Sequence, residues 1–348
     1  MFLKGINYDV GTYFVEGKPT RPAFEDAVIR KELEIIRNEL HCDAIRISGY
    51  DIGRLSTASG IALSLGLQVW FSPACINATT EEAENYLILC AGAAEKLREK
   101  YKDILFVIGC EYSLFLKGFM KGDTLGERLK RMFNPFGILF NILGLRKPVD
   151  NKLNKFLREV SGKVREHFKG SLTYASGTWE KVDWKIFDVV GIDHYRATFN
   201  KSTYQKQLTG YYKFNKPVAV LEFGCCTYKG AEDKGGAGWT IVGTEDGKPV
   251  IKGDYIRDET VQAEYITELL DLNRKRYLQP LSLPLLTRCT NIATIRIWTL
   301  TWRVTELSNR WITRKRAPTR IYPGFRRKPS VVCRNTIKKQ IQHEAIAT

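Results

Sequence analysis

The amino-acid sequence predicts a (β/α)₈ barrel, the TIM-barrel class, and three observations lead to it. Short apolar segments alternate with longer amphipathic segments throughout residues 1–272. The apolar segments are rich in Val, Ile and Phe, as is typical of parallel strands buried on both faces. The length of 348 residues is also sufficient, because one such barrel takes about 250 residues. Strands that alternate with helices favour a parallel sheet closed by right-handed crossovers.

The individual elements follow from this alternation. Seven segments predict strands, at residues 3–8, 42–48, 67–72, 104–110, 171–175, 189–194 and 217–223. Five segments predict helices, at residues 23–40, 53–65, 81–101, 151–168 and 259–272. Thr79 or Thr80 can cap the third helix, whose first turn is rich in glutamate. An eighth strand should follow Leu272 to close the barrel.

Two insertions interrupt the alternation, at about residues 114–150 and 229–254. They follow the fourth and seventh strands, so both should lie on the C-terminal face of the barrel. The first contains the apolar run 131–146, which is too short to span a bilayer. We interpret it as a flap packed on the barrel; a substrate lid or a membrane-surface contact is the alternative. The second is rich in glycine and charge and predicts an exposed loop.

The positive charge lies almost entirely in the last 76 residues. The chain carries a net charge of +16, yet residues 1–272 contain 37 basic and 36 acidic residues. Residues 273–348 contain 17 basic residues, two glutamates, no aspartate and one glycine. A nucleic-acid-binding tail is one interpretation. A frameshift near Asn273 is the interpretation we favour, because a shifted frame restores acidic residues, glycines and a strand-like segment over 277–286. We therefore expect a barrel domain over 1–272 and an altered, poorly ordered segment over 273–348.

Other features bear on location and cofactors. The first nine residues lack the pattern of a secretory signal, and no run reaches the roughly 18 apolar residues of a membrane span. None of the eight cysteines forms a CxxC pair, which favours buried free thiols in a reducing cytoplasm. No P-loop, histidine metal motif or nucleophile elbow occurs. We expect a cytoplasmic protein with no cofactor and no membrane span.

Two glutamates are the candidate catalytic residues. Glu111 directly follows the fourth apolar strand, and Glu222 ends the seventh. An acid at the end of an apolar strand is costly unless it faces a polar mouth, and barrel enzymes place their catalytic groups at that end. The alternative is that both acids form structural ion pairs with Arg46 or with lysines.

Six segments carry a resemblance to known families. They are KGINYDVG, DAIRISGYD, GLQVWFSPA, FVIGCEY, VVGIDHYR and AVLEFGCCTYKGA. The chain resembles the clan A glycoside hydrolases, and more closely a group of uncharacterised barrel proteins often labelled abortive phage infection proteins. The clan resemblance implies a retaining glycosidase, with Glu222 as nucleophile and Glu111 as acid/base. It also implies that Arg46 hydrogen-bonds the nucleophile and that a tyrosine near the sixth strand, which ends in His194 and Tyr195, orients it; the alternative is that these are hydrogen-bonded polar residues of the barrel mouth.

The remaining candidates concern sugar recognition. Trp70, Tyr112 and Trp239 are candidates for stacking on sugar rings, with packing or loop anchoring as the alternative. Cys110 occupies the position before the acid/base where the clan usually has an asparagine, so the resemblance is incomplete there. Two other functions remain open: a barrel that binds a ligand or partner without turnover, linked to phage defence, and nucleic-acid binding through the basic tail.

Overall fold

The chain folds into a closed barrel of eight parallel strands in the computed structural model. The structure describes residues 3–14, 17–137, 143, 146–245, 248–274 and 282–287. The described part of the chain contains ten strands, of which β8 and β9 form a separate hairpin and the other eight form the barrel. They are β1 (Lys4–Gly11), β2 (Ala44–Gly49), β3 (Gln68–Pro73), β4 (Ile104–Cys110), β5 (Leu172–Gly177), β6 (Val190–Asp193), β7 (Val218–Glu222), β8 (Val242–Glu245), β9 (Lys248–Ile251) and β10 (Ser282–Thr287). The barrel runs β1-β10-β7-β6-β5-β4-β3-β2 and closes where β1 pairs with β10 and with β2. The predicted fold class is therefore confirmed.

The predicted eighth strand is also present. β10 begins ten residues after Leu272 and lies between β1 and β7, with Lys4 opposite Leu285 and Val218 opposite Ser282. Residues 288–348 lie outside the described residues, so the frameshift stays a prediction.

Eight helices are present in the described part of the chain. They are α1 (Asp26–Asn38), α2 (Ile52–Ser64), α3 (Thr80–Tyr101), α4 (Tyr112–Phe115), α5 (Leu125–Phe133), α6 (Lys147–His167), α7 (Tyr204–Thr209) and α8 (Glu259–Arg274). All five predicted helices occur, whereas the short α4, α5 and α7 were not predicted. Thr79 is the cap of α3: its hydroxyl accepts from Glu82 N at 3.2 Å, and the Glu82 carboxylate accepts from Thr79 N at 2.7 Å. This reciprocal pair satisfies two backbone donors at the helix start.

The core has two layers that follow the alternation of side chains along the strands. The inner layer fills the barrel and consists of Ala44, Trp70, Leu105, Val107, Ala175, Val189, Ala219 and Leu221. The outer layer lies between strands and helices. There α1 buries Ile29, Leu33 and Ile36, which share one face at helical spacing. Six cysteines of the described part are free thiols, and Cys110 is the least buried of them.

The insertions contain more structure than the sequence indicated. Residues 229–254 include a 3₁₀ helix, Gly235–Ile241, and the antiparallel hairpin β8–β9, where we had expected an irregular loop. Much of the apolar run 131–146 lies outside the described residues, so its interpretation as a flap stays a prediction. In the described part of the chain, no helix has the length and apolar character needed to cross a membrane.

Candidate active site

Glu222 lies at the C-terminal end of β7 and is held by two side chains from other strands. It is 7% exposed. Its Oε1 lies 3.3 Å from Nη1 of Arg46 on β2, and its Oε2 accepts a hydrogen bond from the Tyr195 hydroxyl at 2.8 Å. The guanidinium and the phenol both favour the ionised carboxylate. The structure thus brings together three of the predicted site residues.

Arg46 is buried and makes further contacts around Glu222. Its Nε donates to the Ser72 hydroxyl at 3.1 Å, and its Nη1 lies 3.9 Å from Asp193 Oδ1. Burial on its own would lower the pKa of Arg46, but the adjacent Cys110, Asp193 and Glu222 raise it above its usual range. Arg46 therefore stays charged and balances the two carboxylates.

Cys110 and Asp193 complete this cluster. Cys110 Sγ lies 3.4 Å from Asp193 Oδ2 and 3.8 Å from Glu222 Oε1. Burial, with the two carboxylates, raises the pKa of the Cys110 thiol well above its usual value, so the thiol stays protonated and donates. The ligand atoms of Cys110, Asp193 and Glu222 lie within 4.8 Å of one another, a spacing that suits a metal ion. Arg46 already places a positive charge against both carboxylates, which disfavours a divalent cation there.

Two irregularities in the sheet turn Cys110 and Glu222 toward the barrel mouth. Val107 pairs with Thr173 and Cys110 with Ala175, so β4 has one residue more than β5 over this stretch. Ile192 pairs with Val220 and Asp193 with Glu222, so β7 likewise has one residue more than β6. An extra residue in one strand shifts which face the following side chains point to.

The residues 111–113, here the Glu111 turn, are held through their backbone. Glu111 adopts a left-handed conformation, with φ 45° and ψ 45°. Its N–H donates to Ala175 O at 2.8 Å; the next N–H, of Tyr112, donates to the Tyr174 hydroxyl at 2.6 Å. The third N–H, of Ser113, donates to Glu180 Oε1 at 3.0 Å. Three consecutive donors bound by β5 and the segment after it stabilise a backbone conformation that L-residues rarely adopt.

Glu180 is the charged residue that accepts a hydrogen bond from the Glu111 turn, and it was not predicted. It is buried, and the Tyr174 hydroxyl donates to its carboxylate at 3.0 Å. Burial raises the pKa of Glu180, while the Ser113 and Tyr174 donors and the nearby Arg146 lower it in part. A sequence signal was weak, because Glu180 lies in the loop after β5 and not at a strand end.

A pocket opens at the C-terminal end of the barrel. Of the predicted site residues it is lined by Arg46, Tyr112 and Glu222. Polar residues that were not predicted also line it, namely Asn7, Asp9, Ser48 and Ser72. The sequence contained a signal for them, since Asn7 and Asp9 point to one face of β1, and Ser48 and Ser72 are the penultimate residues of β2 and β3. The pocket therefore offers amide, hydroxyl and carboxylate groups beside Glu222, which suits a polyhydroxy ligand.

Of the three aromatic residues predicted to stack on sugar, Tyr112 lines this pocket, whereas Trp70 and Trp239 do not. Trp70 lies in the inner core, 1% exposed, and its Nε1 donates to Gln68 Oε1 at 3.1 Å. Tyr112 lines the pocket but is 1% exposed, and its hydroxyl donates to Ile108 O at 2.6 Å. Trp239 is half-buried on the 3₁₀ helix of the second insertion. These positions favour the packing alternative for Trp70, and the stacking roles stay predictions.

His194 follows Asp193 but lies on the outer face of the sheet. Its ring stacks on Tyr204 of α7 with centroids 4.3 Å apart, and its Nε2 lies 3.3 Å from Tyr204 O. Burial lowers the pKa of His194 to about 4. Its neighbour Tyr195, not His194, reaches Glu222, so the aromatic contact expected from this pair of residues is made by Tyr195.

The fold is shared with solved glycoside hydrolases. No protein-family model matches the chain, and no curated protein matches it in sequence. Two structures of GH113 beta-1,4-mannanase, one of them a complex, show 17% and 16% identity with TM-scores of 0.53 and 0.54; each match covers 82% of this chain and 88% of the mannanase. A third match is Bacteroides uniformis beta-glucuronidase 2, with 17% identity, a TM-score of 0.52, and coverage of 82% of this chain and 30% of that enzyme. At this identity the comparison shows the fold alone, a barrel shared with these enzymes.

Proposed function

We propose that the protein is a retaining glycosidase. The observation that carries the proposal is the environment of Glu222: a carboxylate at the end of a barrel strand, lining a pocket that also holds amide and hydroxyl groups, with Arg46 and Tyr195 each bound to one of its oxygens. A nucleophilic carboxylate must be ionised and oriented, and these two partners provide both. The substrate is a carbohydrate or glycoside.

The mechanism assigns one role to each glutamate. Glu222 attacks the anomeric carbon while Glu111 protonates the leaving oxygen, so that one C–O bond forms as the glycosidic bond breaks. Glu111 then removes a proton from water, which attacks the same carbon and releases Glu222. This sequence retains the anomeric configuration and needs the two carboxyl groups about 5–5.5 Å apart. Arg46 and Tyr195 act as positioning residues for Glu222.

The first substrates to test come from the fold relatives. Two of them are named beta-1,4-mannanases, so β-1,4-linked manno-oligosaccharides are the first choice, followed by other neutral β-1,4 oligosaccharides and by glucuronides. Wild-type protein is incubated with each, and the anomer formed first is observed by proton NMR before mutarotation. We expect the β-anomer from a β-linked substrate.

The matched control is Glu222→Gln, which keeps the size of the side chain and removes its charge. Loss of hydrolysis in Glu222→Gln with an unchanged thermal unfolding midpoint supports the proposal. Formation of the inverted anomer, or hydrolysis that survives Glu222→Gln, overturns it. Ligand binding to wild type without turnover would favour the second function considered, a non-catalytic barrel linked to phage defence. Cys110 is the residue that favours this second function, because it replaces the polar amide of the resembled clan.

Nucleic-acid binding and location are proposals that the described residues do not address. The basic tail lies largely outside them, so its role depends on the reading-frame hypothesis. Sequencing of the coding region around Asn273 decides that hypothesis directly. The cytoplasmic location likewise stays a prediction.

A further inference from the structure

Three tyrosines form a cluster at the mouth of the barrel, two of them exposed and Tyr86 half-buried beneath them. Tyr50 is 48% exposed and Tyr13 is 39% exposed. The Tyr50 ring stacks on the Tyr86 ring, with centroids 5.0 Å apart and planes 15° apart. Tyr13 meets Tyr50 edge to face, with centroids 5.7 Å apart. We call Tyr13, Tyr50 and Tyr86 the tyrosine platform.

The platform lies on the same face as Glu222. Tyr13 follows β1 and Tyr50 follows β2, so both lie at the C-terminal ends of neighbouring strands. Tyr86 lies in the second turn of α3, the helix that follows β3, and it reaches the loop after β2 through its ring and hydroxyl. Pocket-lining residues flank the platform directly, because Thr12 and Phe14 adjoin Tyr13 in the chain and Ser48 lies two residues before Tyr50.

The platform is held rigidly although it is exposed. Tyr50 N donates to Gly11 O at 2.9 Å, which binds the loop after β2 to the end of β1. The Tyr86 hydroxyl donates to the backbone carbonyl of Tyr50 and contacts that of Gly49 at 3.4 Å. Gly49 allows the ends of β1 and β2 to pack closely, since a Cβ there would meet a Val10 methyl group at 2.5 Å. A rigid aromatic surface loses little conformational entropy when a ligand binds to it.

We infer that the tyrosine platform binds a second sugar unit of an extended glycan, while the terminal unit lies at Glu222. Exposed, clustered aromatic rings at the same end of the barrel as a pocket mark a binding surface. Rings with hydroxyl tips suit a sugar, which offers apolar C–H faces and polar edges. The inference rests on the proposed glycosidase function, which it deepens: the substrate is an oligosaccharide or polysaccharide and not a small monoglycoside.

The experiment compares a long substrate with a short one. Hydrolysis of a β-1,4-linked mannohexaose and of the corresponding disaccharide is measured for wild type, Tyr50→Ala, Tyr13→Ala and Tyr50→Phe. The ratio of kcat/KM for hexasaccharide over disaccharide should fall about tenfold in Tyr50→Ala, mainly through KM. It should fall less in Tyr50→Phe, which keeps the ring. Leu89→Ala is the matched control, because Leu89 is an exposed apolar residue of α3 outside the platform.

A binding measurement separates this inference from the proposed function. Calorimetric titration of mannohexaose and cellohexaose is carried out on the Glu222→Gln protein, with and without Tyr50→Ala. Binding that weakens about tenfold with Tyr50→Ala supports the platform even where the wild type hydrolyses nothing, in which case the glycosidase proposal alone fails. Hydrolysis with an unchanged length ratio in Tyr50→Ala and Tyr13→Ala, or no hexasaccharide binding at millimolar concentration, overturns the platform. Thermal unfolding of each variant tests whether it is folded. If Tyr50→Ala is unfolded, the same measurements are made on Tyr13→Ala.

Discussion

The two candidate catalytic glutamates are held in different ways. Glu222 is held through its side chain, by Arg46 from β2 and Tyr195 after β6, residues far away in the chain. Glu111 belongs to a turn that is held through its backbone, by Ala175, Tyr174 and Glu180. The first arrangement sets the charge and direction of one carboxylate. The second sets the path of the chain from which the other carboxylate extends, so the two sides should respond differently to mutation and to pH.

The largest expected difference concerns the leaving group. Glu222→Gln should lower kcat by at least about 10³-fold on every substrate, because the nucleophile is lost. Glu111→Gln should cost as much on an oligosaccharide but far less on a dinitrophenyl glycoside, whose leaving group needs no proton. Steady-state kinetics of both variants on both substrates measure this. Equal losses for Glu111→Gln on the two substrates would remove Glu111 from the acid/base role.

The Glu222 side should be acid-sensitive through His194, whose backbone N–H donates to Glu222 O at 2.9 Å. The pKa of this buried imidazole is about 4 in the fold, below its ordinary 6.5. The unfolded chain therefore binds the proton first, so the stability contribution is complete above pH 6.5 and is lost as the pH falls to about 4. The lowered pKa corresponds to about 3 kcal/mol.

Urea unfolding at pH 7 and pH 4.5 tests this for wild type and for His194→Asn. The wild type should lose stability relative to the variant at the lower pH. A constant difference between the two proteins would show that His194 does not titrate on unfolding.

The Glu111 turn should show the opposite sign of pH dependence. Burial raises the pKa of Glu180 above the ordinary 4.5 of a glutamate. The folded state then holds the proton more tightly, so the contribution of Glu180 to stability is complete below pH 4.5 and is lost as the pH rises through the raised pKa. Glu180→Gln keeps an acceptor without a charge. The free energy of unfolding of this variant should therefore increase relative to that of the wild type as the pH rises from 4 to 7. A relative increase as the pH falls would contradict this.

Removing the side chain of Glu180 sharpens the comparison further. Glu180→Ala leaves Ser113 N and the Tyr174 hydroxyl without their buried acceptor, which should cost about 2 kcal/mol in chemical unfolding. Activity should fall through a disturbed Glu111 turn, and Glu180→Gln should restore most of it. If Glu180→Gln is as impaired as Glu180→Ala, Glu180 does not act through its acceptor oxygens.

The smallest expected effect is that of Cys110, which precedes Glu111 in the chain and whose Sγ lies 3.8 Å from Glu222 Oε1. Cys110→Ala removes one thiol donor to Asp193, an interaction of about 1 kcal/mol. We expect kcat/KM to change less than about tenfold and the unfolding midpoint to stay nearly constant. Cys110→Asn introduces the amide of the resembled clan, so a gain in activity with that variant would show that the cysteine limits sugar recognition.

Most of the barrel was predictable because burial leaves a strong local pattern. Strand β4 was predicted with both bounds correct, and the other six predicted strands with bounds within a few residues. The apolar runs are determined by burial on two faces, and the capped start of α3 by its own side chains. The hairpin β8–β9 was missed because its short segment carries glycine and charge in place of an apolar alternation.

The site was predictable in part. The chain position of Glu222 at a strand end, and the resemblance, led to Glu222, Arg46 and Tyr195, which the structure brings together. Among the aromatic residues predicted to contact sugar, Trp70 lies in the inner core. A tryptophan inside a strand is as compatible with the core as with a pocket, so the sequence could not distinguish the two. The exposed tyrosine platform gave no signal, because Tyr13, Tyr50 and Tyr86 are distant in the chain.

The sequence by itself determined the fold class, the order of strands and helices, and the two strand ends where acids occur, because each of these depends on neighbouring residues in the chain. The tertiary structure alone decided which way those ends face. Strict alternation from Val107 and Leu221 would turn Cys110 and Glu222 away from the barrel interior, and one extra residue in β4 and one in β7 turn them back. A register shift arises from pairing with a neighbouring strand, so no single strand's sequence contains it.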